Sequence, residues 1–323
     1  MNTEEKIIQF IKENRVVSPR DIIRNSNISD RMVFRYLKTL LNARKISKIG
    51  SPPKVYYTIT ENIIQKDNRE ILNQQATNVI ETNFTQITPL GEMKEGIEAF
   101  KHWCDSRGLD LDKMANQYLE IYNKYQSSKI NQRFSAIIKM KQVLGEVFLN
   151  ECFFEDFYSF EVFGKTKLGQ LVLYAKQSQD VKLIKTVSEV IKPSILNIIQ
   201  DYGIQAIGFI PPTIRRKTQF NKELELNLNL NLPKIEIEKI LTEIIIPQKS
   251  LSNLEERKIN AERTFIVKNN YNFSRILLID DALGSGATLN EIAKKIKLKN
   301  PDTFIVGFTL VASAKGFDVI SEV

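Results

Sequence analysis

The stretch Arg275–Thr288, RILLIDDALGSGAT, holds the residue types best suited to chemistry in this chain. Its four apolar residues Ile276–Ile279 predict a buried parallel strand. Asp280 and Asp281 follow at the carboxyl end of that strand. Ligands bind at the carboxyl ends of strands in α/β folds, so these two acids are candidate site residues.

A loop of small residues follows the acids and leads into a helix that begins near Leu289. Glycines let the backbone approach a ligand closely, and loop N–H groups at a helix N-terminus attract phosphate. Two hydroxyl side chains can add further hydrogen-bond donors. The predicted phosphate-binding residues are Gly284, Ser285, Gly286, Ala287 and Thr288.

Together, the acids and the loop predict a site for a phosphorylated sugar. Asp280 and Asp281 would face ribose hydroxyls, directly or through Mg²⁺, and we expect no metal ligated by the protein alone. A tight strand-to-helix turn with solvated acids is the alternative interpretation. The P-loop alternative fails because the sequence lacks G-x-x-x-x-G-K-[ST].

This stretch resembles the phosphoribosyl pyrophosphate (PRPP) loop of type I phosphoribosyltransferases. The resemblance implies that the 5-phosphate lies in the loop and that the paired acids Asp280 and Asp281 hold the ribose as catalytic residues. It also implies Mg²⁺ as a cofactor that arrives with PRPP.

Transfer of a phosphoribosyl group expels pyrophosphate, so a second, basic cluster is expected. The segment after the predicted strand Ala206–Ile210 presents Arg215, Arg216 and Lys217, and Arg257 follows later with Asn260 three residues on. We predict that the three arginines and Lys217 bind pyrophosphate. A solvated loop and a helix-surface pair are the alternatives for these groups.

The C-terminal half resembles the ComF-like branch of the same family. The matching residues are Pro211, Arg215, Phe220-Asn221, Pro247-Gln248, Arg257, Asn260 and Asp280–Thr288, with Lys176 after an apolar strand at Leu168–Leu173. Gln219 stands where that branch usually has Gly. Gly284 stands where purine-salvage relatives have Asp, which argues against a 6-oxopurine acceptor.

The N-terminal 60 residues carry most of the net charge of +8: they hold 12 Lys/Arg and 5 Asp/Glu, and the remaining residues are near neutral. Helix caps and apolar spacing predict three helices, followed by β-like runs at Ile46–Ile49 and Val55–Ile59. The third helix is predicted from Asp30 to about Ala43, with Val33, Phe34, Leu37, Leu40 and Leu41 facing inward.

This order resembles a winged helix-turn-helix, and a basic module beside a near-neutral body suggests nucleic-acid binding. The expected contacts are Arg31, Arg35 and Lys38 on the third helix and Lys48 and Lys54 beside the wing, whose tip is 50–53. The alternative is a small helical interaction domain with solvated cations.

The predicted architecture is multidomain α/β, comprising a winged helix at 1–60, a connector and helical region at 61–156, and a parallel-sheet phosphoribosyltransferase fold at 157–323. The alternation of helices and strands after Tyr158 predicts βαβ units, including a short strand at Ile244–Ile246. The helical region is expected to pack between modules or to make a homodimer contact.

Composition excludes several classes of function. The sequence contains no apolar run of about 18 residues, so no membrane span is predicted. Cys104 and Cys152 cannot build a disulfide framework or a cysteine-rich metal site, and His102 is the only histidine available for triad chemistry. These features predict a cytoplasmic protein without a membrane partner.

Three functional hypotheses remain open. The first is an enzyme that transfers phosphoribosyl from PRPP to an unknown acceptor. The second is a regulator that senses PRPP or a nucleotide and binds nucleic acid. The third rests on resemblance to effectors that accompany retron reverse transcriptases, which implies a reverse-transcriptase partner and a DNA–RNA hybrid ligand.

Overall fold

The computed structural model describes residues 3–26, 28–43, 45–49, 55–59, 72–88, 91–160, 162–212, 216–240, 254–268 and 272–313. These residues form a mixed α/β protein with a five-stranded, mostly parallel sheet and 12 helices. No helix among them is both long and apolar enough to span a bilayer.

The chain divides into two compact units. The first comprises Met1–Ser127 with Phe160–Gly164, and the second comprises Ser128–Ser159 with Lys165–Val323. The second unit therefore begins well before the boundary predicted at residue 157.

The N-terminal part of the first unit has the predicted element order, three helices and then two antiparallel strands: α1 Thr3–Asn14, α2 Pro19–Asn25, α3 Asp30–Asn42, β1 Ile46–Ile49 and β2 Tyr56–Ile59. Ser18 caps α2 in a reciprocal capping box with Asp21. Ile7, Ile11, Val33, Leu37 and Leu40 form its core.

The prediction that Phe34 faces inward is wrong, because 53% of its surface is exposed. Val33, Leu37 and Leu40 share one face of α3, and the 100° rotation per residue carries Phe34 to its flank. Leu41, one heptad later, is only half-buried. The wing tip at 50–53 lies outside the described residues.

The rest of the first unit packs around aromatic side chains. Its elements are α4 Gln74–Asn83, β3 Thr85–Ile87, β4 Met93–Glu95, α5 Gly96–Asp105 and α6 Leu111–Gln126. Phe100, Trp103 and Tyr118 are buried and surround Phe163 at centroid distances of 5.0–6.0 Å. These aromatic side chains therefore form the interior of this part of the unit. His102 lies on the exposed side of α5, with Nδ1 3.1 Å from Gln86 Oε1.

The second unit is built on one sheet with the strand order β5-β6-β13-β12-β9. The sheet strands are β5 Phe134–Ser135, β6 Glu151–Phe157, β9 Ala206–Phe209, β12 Arg275–Leu283 and β13 Phe304–Ala312. The last four run parallel and β5 runs antiparallel to β6. Two short paired strands of this unit, β10 Ile237–Lys239 and β11 Phe265–Val267, lie outside the sheet. Another short pair, β7 Ser159–Phe160 and β8 Gly164–Lys165, has residues in both units.

Helices cover both faces of the sheet. The helices are α7 Ile137–Leu144, α8 Lys167–Ser178, α9 Val181–Tyr202, α10 Phe220–Leu228, α11 Leu254–Thr264 and α12 Ala287–Lys299. Side chains of α7, α11 and α12 share one core with Ile276 and Leu278, and side chains of α8, α9 and α10 share the other with Leu277 and Ile279. The sheet is therefore the middle layer of three.

Two predictions about secondary structure fail. Leu168–Leu173, predicted as an apolar strand, lies within α8, because a short apolar run alone does not distinguish a strand from a buried helix. Residues 151–157, predicted within the helical region, form strand β6 of the main sheet. The strand predicted at Ile244–Ile246 lies outside the described residues.

Candidate functional site

The central feature of the site is the carboxyl end of β12. Ile276–Ile279 are at most 1% exposed, and the strand lies between β9 and β13. The strand is longer than predicted and continues through Asp280 and Asp281 to Leu283. Because both neighbouring strands are parallel to it, the acids lie at the edge of the sheet where ligands of α/β folds bind.

Asp280 has a perturbed carboxyl group. Part of the residue remains accessible to solvent, but burial of the carboxyl and the adjacent Asp281 charge raise the pKa of Asp280 to about 7. The Asp281 N–H donates to Asp280 Oδ1 at 2.8 Å and opposes that rise. The positive charges of Lys176 and Lys239 oppose it further.

Asp281 forms an ion pair with a lysine from a different element. Lys176 Nζ, in the last turn of α8, lies 2.8 Å from Asp281 Oδ2, and the two side chains are 26% and 20% exposed. In the sequence, only the resemblance to the ComF-like branch draws attention to Lys176. This pairing could not be foreseen, because it joins segments far apart in the chain.

Lys239 on β10 is a second lysine that the sequence did not reveal. Burial lowers its pKa, and the charge of Asp280 opposes that change. Its Nζ also lies 4.6 Å from the centroid of the Phe265 ring. The positive charges of Lys176 and Lys239 therefore both act to lower the pKa of Asp280.

A third carboxyl group, Asp156, occupies the same edge of the sheet. It pairs with Val311 of β13, which pairs in turn with Ala282 of β12. Burial raises the pKa of Asp156 to about 6, while its hydrogen bonds to the Phe157 N–H and to Thr166 oppose the rise. Sequence reasoning missed this acid because it assigned β6 to the helical region.

The predicted phosphate loop lies between β12 and α12. Gly286 is the N-cap of α12 and has φ +78°, a conformation that favours glycine. The first helical hydrogen bond runs from the Asn290 N–H to Gly286 O, so the N–H groups before Asn290 are not used by the helix ladder. Helix α12 has no acidic residue in its first turn that would oppose an anion.

The hydroxyl residues of the loop differ in exposure. Ser285 is 6% exposed, and its Oγ accepts from the Ala287 N–H at 3.4 Å. Thr288 is half-buried. Gly284 has open space where a Cβ would lie. Gly284, Ser285 and Gly286 therefore form the turn after β12, and Ala287 and Thr288 are the first two residues of α12.

Residues that precede β6 in the chain pack against this turn and against α12. A Cβ on Gly286 would lie 2.5 Å from Met140 Cε of α7. Asn290 joins α12 to the segment before β6: its Oδ1 accepts from the Phe148 N–H at 2.7 Å, and its Nδ2 donates to Glu146 O at 3.0 Å. None of these contacts was predicted from the sequence.

The basic segment after β9 lies at the same end of the sheet. Strand β9 neighbours β12, and the Ile210 N–H donates to Ile279 O just before the acids. Arg216 Nη1 donates to the main-chain oxygen of Lys176, whose side chain pairs with Asp281. Lys176 thereby connects the basic segment to the acidic pair.

One further hydrogen bond joins this segment to the end of α8, and another closes a turn within the segment. The Thr218 N–H donates to Gln179 Oε1 at 3.0 Å, and Gln219 Nε2 donates to Arg216 O at 3.0 Å. Gln219 therefore closes the turn with its side chain. Lys217 is exposed, and Arg215 lies outside the described residues with Pro247 and Gln248.

Arg257 is buried rather than on a helix surface, with 8% of its area exposed. It lies on α11, which packs against α12. Lys295 and Lys299 of α12 donate to Phe265 O and Val267 O, so β11, which follows α11 directly, runs in the same direction as α12.

The residues predicted to contact nucleic acid lie in the first unit. Arg31, Arg35 and Lys38 are exposed on α3, and Lys48 is exposed on β1. Lys54 lies outside the described residues.

Within the described part of the chain, no three His, Cys, Asp or Glu residues group as a metal site.

Comparisons with known proteins found no matching family model and no matching curated protein. Among solved structures, a hypoxanthine phosphoribosyltransferase from Staphylococcus aureus matches at 14% identity with a TM-score of 0.23. The match covers 41% of this chain and 65% of that one. A likeness at this level carries no argument about family or activity.

Proposed function

We propose that the second unit is a phosphoribosyltransferase-like module that binds PRPP with Mg²⁺ and transfers phosphoribosyl to an acceptor. One observation carries this proposal. Two adjacent acids end a buried parallel strand and lead directly into a Gly-Ser-Gly turn at the N-terminus of α12. This arrangement offers carboxylates to a sugar and N–H groups to its phosphate within one turn.

In this proposal the loop Gly284–Thr288 takes the 5-phosphate. The N–H groups at the start of α12 point along the helix axis toward the anion, and the positive end of the helix dipole favours it. The hydroxyl groups of Ser285 and Thr288 add donors. The positive φ of Gly286 lets the chain turn from β12 into α12, and Met140 packs against this turn.

Asp280 and Asp281 take the ribose hydroxyls and the metal that accompanies PRPP. Mg²⁺ is commonly held by one or two carboxylates together with substrate phosphates, and this pair fits that pattern. When bound, Mg²⁺ would neutralise charge on the diphosphate. Because Lys176 already pairs with Asp281, the incoming sugar has to compete with that lysine for the carboxylate.

The basic residues take the diphosphate. Arg216 and Lys217 lie in the segment after β9, and Arg257 is buried on α11, which packs against α12; Arg215 belongs to the same proposed set. The nucleophilic atom of the acceptor bonds to C1 as the bond from C1 to the diphosphate oxygen breaks. The electron pair leaves with pyrophosphate, and the acceptor proton passes to solvent. The protein contributes positioning and electrostatic stabilisation.

The N-terminal part of the first unit is proposed to be a winged helix that binds nucleic acid. Its supporting observations are the excess of cations in the first 60 residues and the exposure of Arg31, Arg35 and Lys38 along α3. Cations on one helix face are the electrostatic signature of phosphate contact.

A regulator is the second candidate function. Lys176 joins the acidic pair to the basic segment through its side chain and its main-chain oxygen, so a ligand that displaces it would alter both at once. Such a module could sense PRPP without transfer, and PRPP would then change the affinity for nucleic acid.

The test is to incubate the full chain with PRPP, Mg²⁺ and panels of bases, nucleotides and nucleic acids while measuring pyrophosphate release and PRPP binding. Asp281→Asn should abolish turnover, and Asp302→Asn, in an exposed turn before β13, is the matched control that should retain it. Saturable binding without pyrophosphate favours the regulator. Absence of PRPP binding contradicts both functions.

A further inference from the structure

The exposed face of α3 carries a phenyl ring within a row of cations. Phe34 is 53% exposed, and Arg31, Arg35 and Lys38 are exposed around it. These residues follow the spacing i, i+3, i+4 and i+7, which places them along one side of a helix. The face therefore combines positive charge with one large apolar group.

The core of this part of the protein does not use Phe34. Val33, Leu37 and Leu40 are each at most 1% exposed and fill the interior on another side of α3. Leaving a phenyl ring in water forgoes the stabilisation that its burial would provide. The ring is thus available to a partner.

The length of the row matches a short stretch of duplex. Arg31 and Lys38 are seven residues apart, which is about 10 Å along the helix axis. That length corresponds to roughly three steps of 3.4 Å along a DNA strand. Cations at both ends can reach phosphates while the phenyl ring between them faces the base edges.

A neighbouring cation is held by an aromatic ring of the same helix. Arg35 Cζ lies 5.5 Å from the centroid of the Tyr36 ring, a cation–π contact that orients this guanidinium. Tyr36 is half-buried and packs against the core.

We infer that Phe34 is a specificity-determining residue that contacts the C5-methyl group of thymine in the major groove of DNA. This inference rests on the proposed nucleic-acid binding. A phenyl ring neither donates nor accepts conventional hydrogen bonds, and the thymine methyl is the apolar group that base pairs present in that groove. The deep, narrow major groove of an A-form helix does not admit such side chains, so the partner is duplex DNA rather than RNA.

The test uses the full chain and pairs of duplexes that differ only in methyl groups. Preferred sites are first selected from a random-sequence DNA duplex library and then synthesised with thymine or with uracil. The wild-type protein should bind the uracil duplex at least about threefold more weakly, which is the scale of one lost methyl contact. Phe34→Ala should bind both duplexes equally, at the wild-type affinity for uracil.

Two controls separate this role from general effects. Arg31→Ala should weaken binding to both duplexes by the same factor, because phosphate contacts do not depend on the methyl group. Leu226→Ala removes another exposed apolar side chain, 62% exposed on α10, and should leave the preference for thymine unchanged.

The outcomes distinguish this inference from the proposed function. Duplex binding with equal affinity for thymine and uracil overturns the role of Phe34 and leaves nucleic-acid binding intact. A folded Phe34→Ala variant that keeps the wild-type preference for thymine also overturns it. Absence of duplex binding by the wild-type protein overturns both.

Discussion

At the scale of the residue, Gly286 determines the geometry of the loop. Its φ is +78°, and a Cβ at this position would lie 2.5 Å from Met140 Cε, so the Met140 side chain would have to shift. The sequence alone showed that small residues are needed there, but it did not show which glycine adopts the positive φ.

We predict that Gly286→Ala lowers stability by about 1–3 kcal/mol, because alanine is strained at positive φ and its Cβ would clash with Met140. Thermal or denaturant unfolding measures the loss. Gly284→Ala is the matched control, since no atom lies within 4 Å of its Cβ position, and it should be near neutral. Equal losses in the two variants would contradict the assignment.

Asp280 makes stability depend on pH. The folded protein holds the proton up to a pKa of about 7, whereas the ordinary value is 3.8. Between these values the folded state binds more protons than the unfolded state, so stability falls as pH rises through that window.

Asp280→Asn removes this titration. The variant should therefore gain melting temperature relative to wild type as pH is raised from 4 to 8, by roughly 2–4 °C for each kcal/mol of penalty removed. Thermal unfolding across this pH range measures the gain. A difference between Asp280→Asn and wild type that stays constant from pH 4 to pH 8 would refute the prediction.

At the scale of the element, helix α12 and the segment before β6 form one support for the loop. Asn290 holds this support through two hydrogen bonds, to the Phe148 N–H and to Glu146 O. The loop is thus positioned by α12, which follows it, and by residues 146–148, which lie more than 130 positions earlier in the chain.

We expect Asn290→Ala to destabilise the protein by about 1–3 kcal/mol, because two hydrogen bonds are lost. Hydrogen exchange at the Phe148 amide should accelerate more than exchange in the sheet. Leu298→Ala, 74% exposed on the same helix, is the control and should change neither. Unchanged protection of Phe148 in Asn290→Ala would show that the bond is not a support.

At the scale of the whole molecule, positive charge is concentrated in one segment. The first 60 residues hold 12 Lys/Arg against 5 Asp/Glu, while the remainder is nearly balanced. A long polyanion should therefore bind that segment, and its affinity should fall steeply with salt.

The double variant Arg31→Ala with Lys38→Ala should reduce the slope of log affinity against log salt concentration by about 2 in magnitude, since each phosphate contact contributes about 0.9. Titration of duplex DNA at several salt concentrations measures the slope. Lys182→Ala with Lys185→Ala removes two exposed cations of α9 and should leave it unchanged. A slope unaltered by the first pair would exclude α3 from the interface.

The sequence by itself determined what depends on neighbours along the chain. The strand, the two acids and the small-residue turn are contiguous in the chain. Local features such as apolar runs, caps and turn residues carry this information because they act within a few residues.

Only the tertiary structure decided which distant groups meet. It paired Lys176 with Asp281, put Met140 beneath Gly286, made residues 151–157 a sheet strand and turned Phe34 to solvent. Short apolar runs do not reveal whether they form strands or buried helices, and a helical pattern does not reveal which flank faces water. These choices depend on what packs against each element, and that is a property of the folded chain.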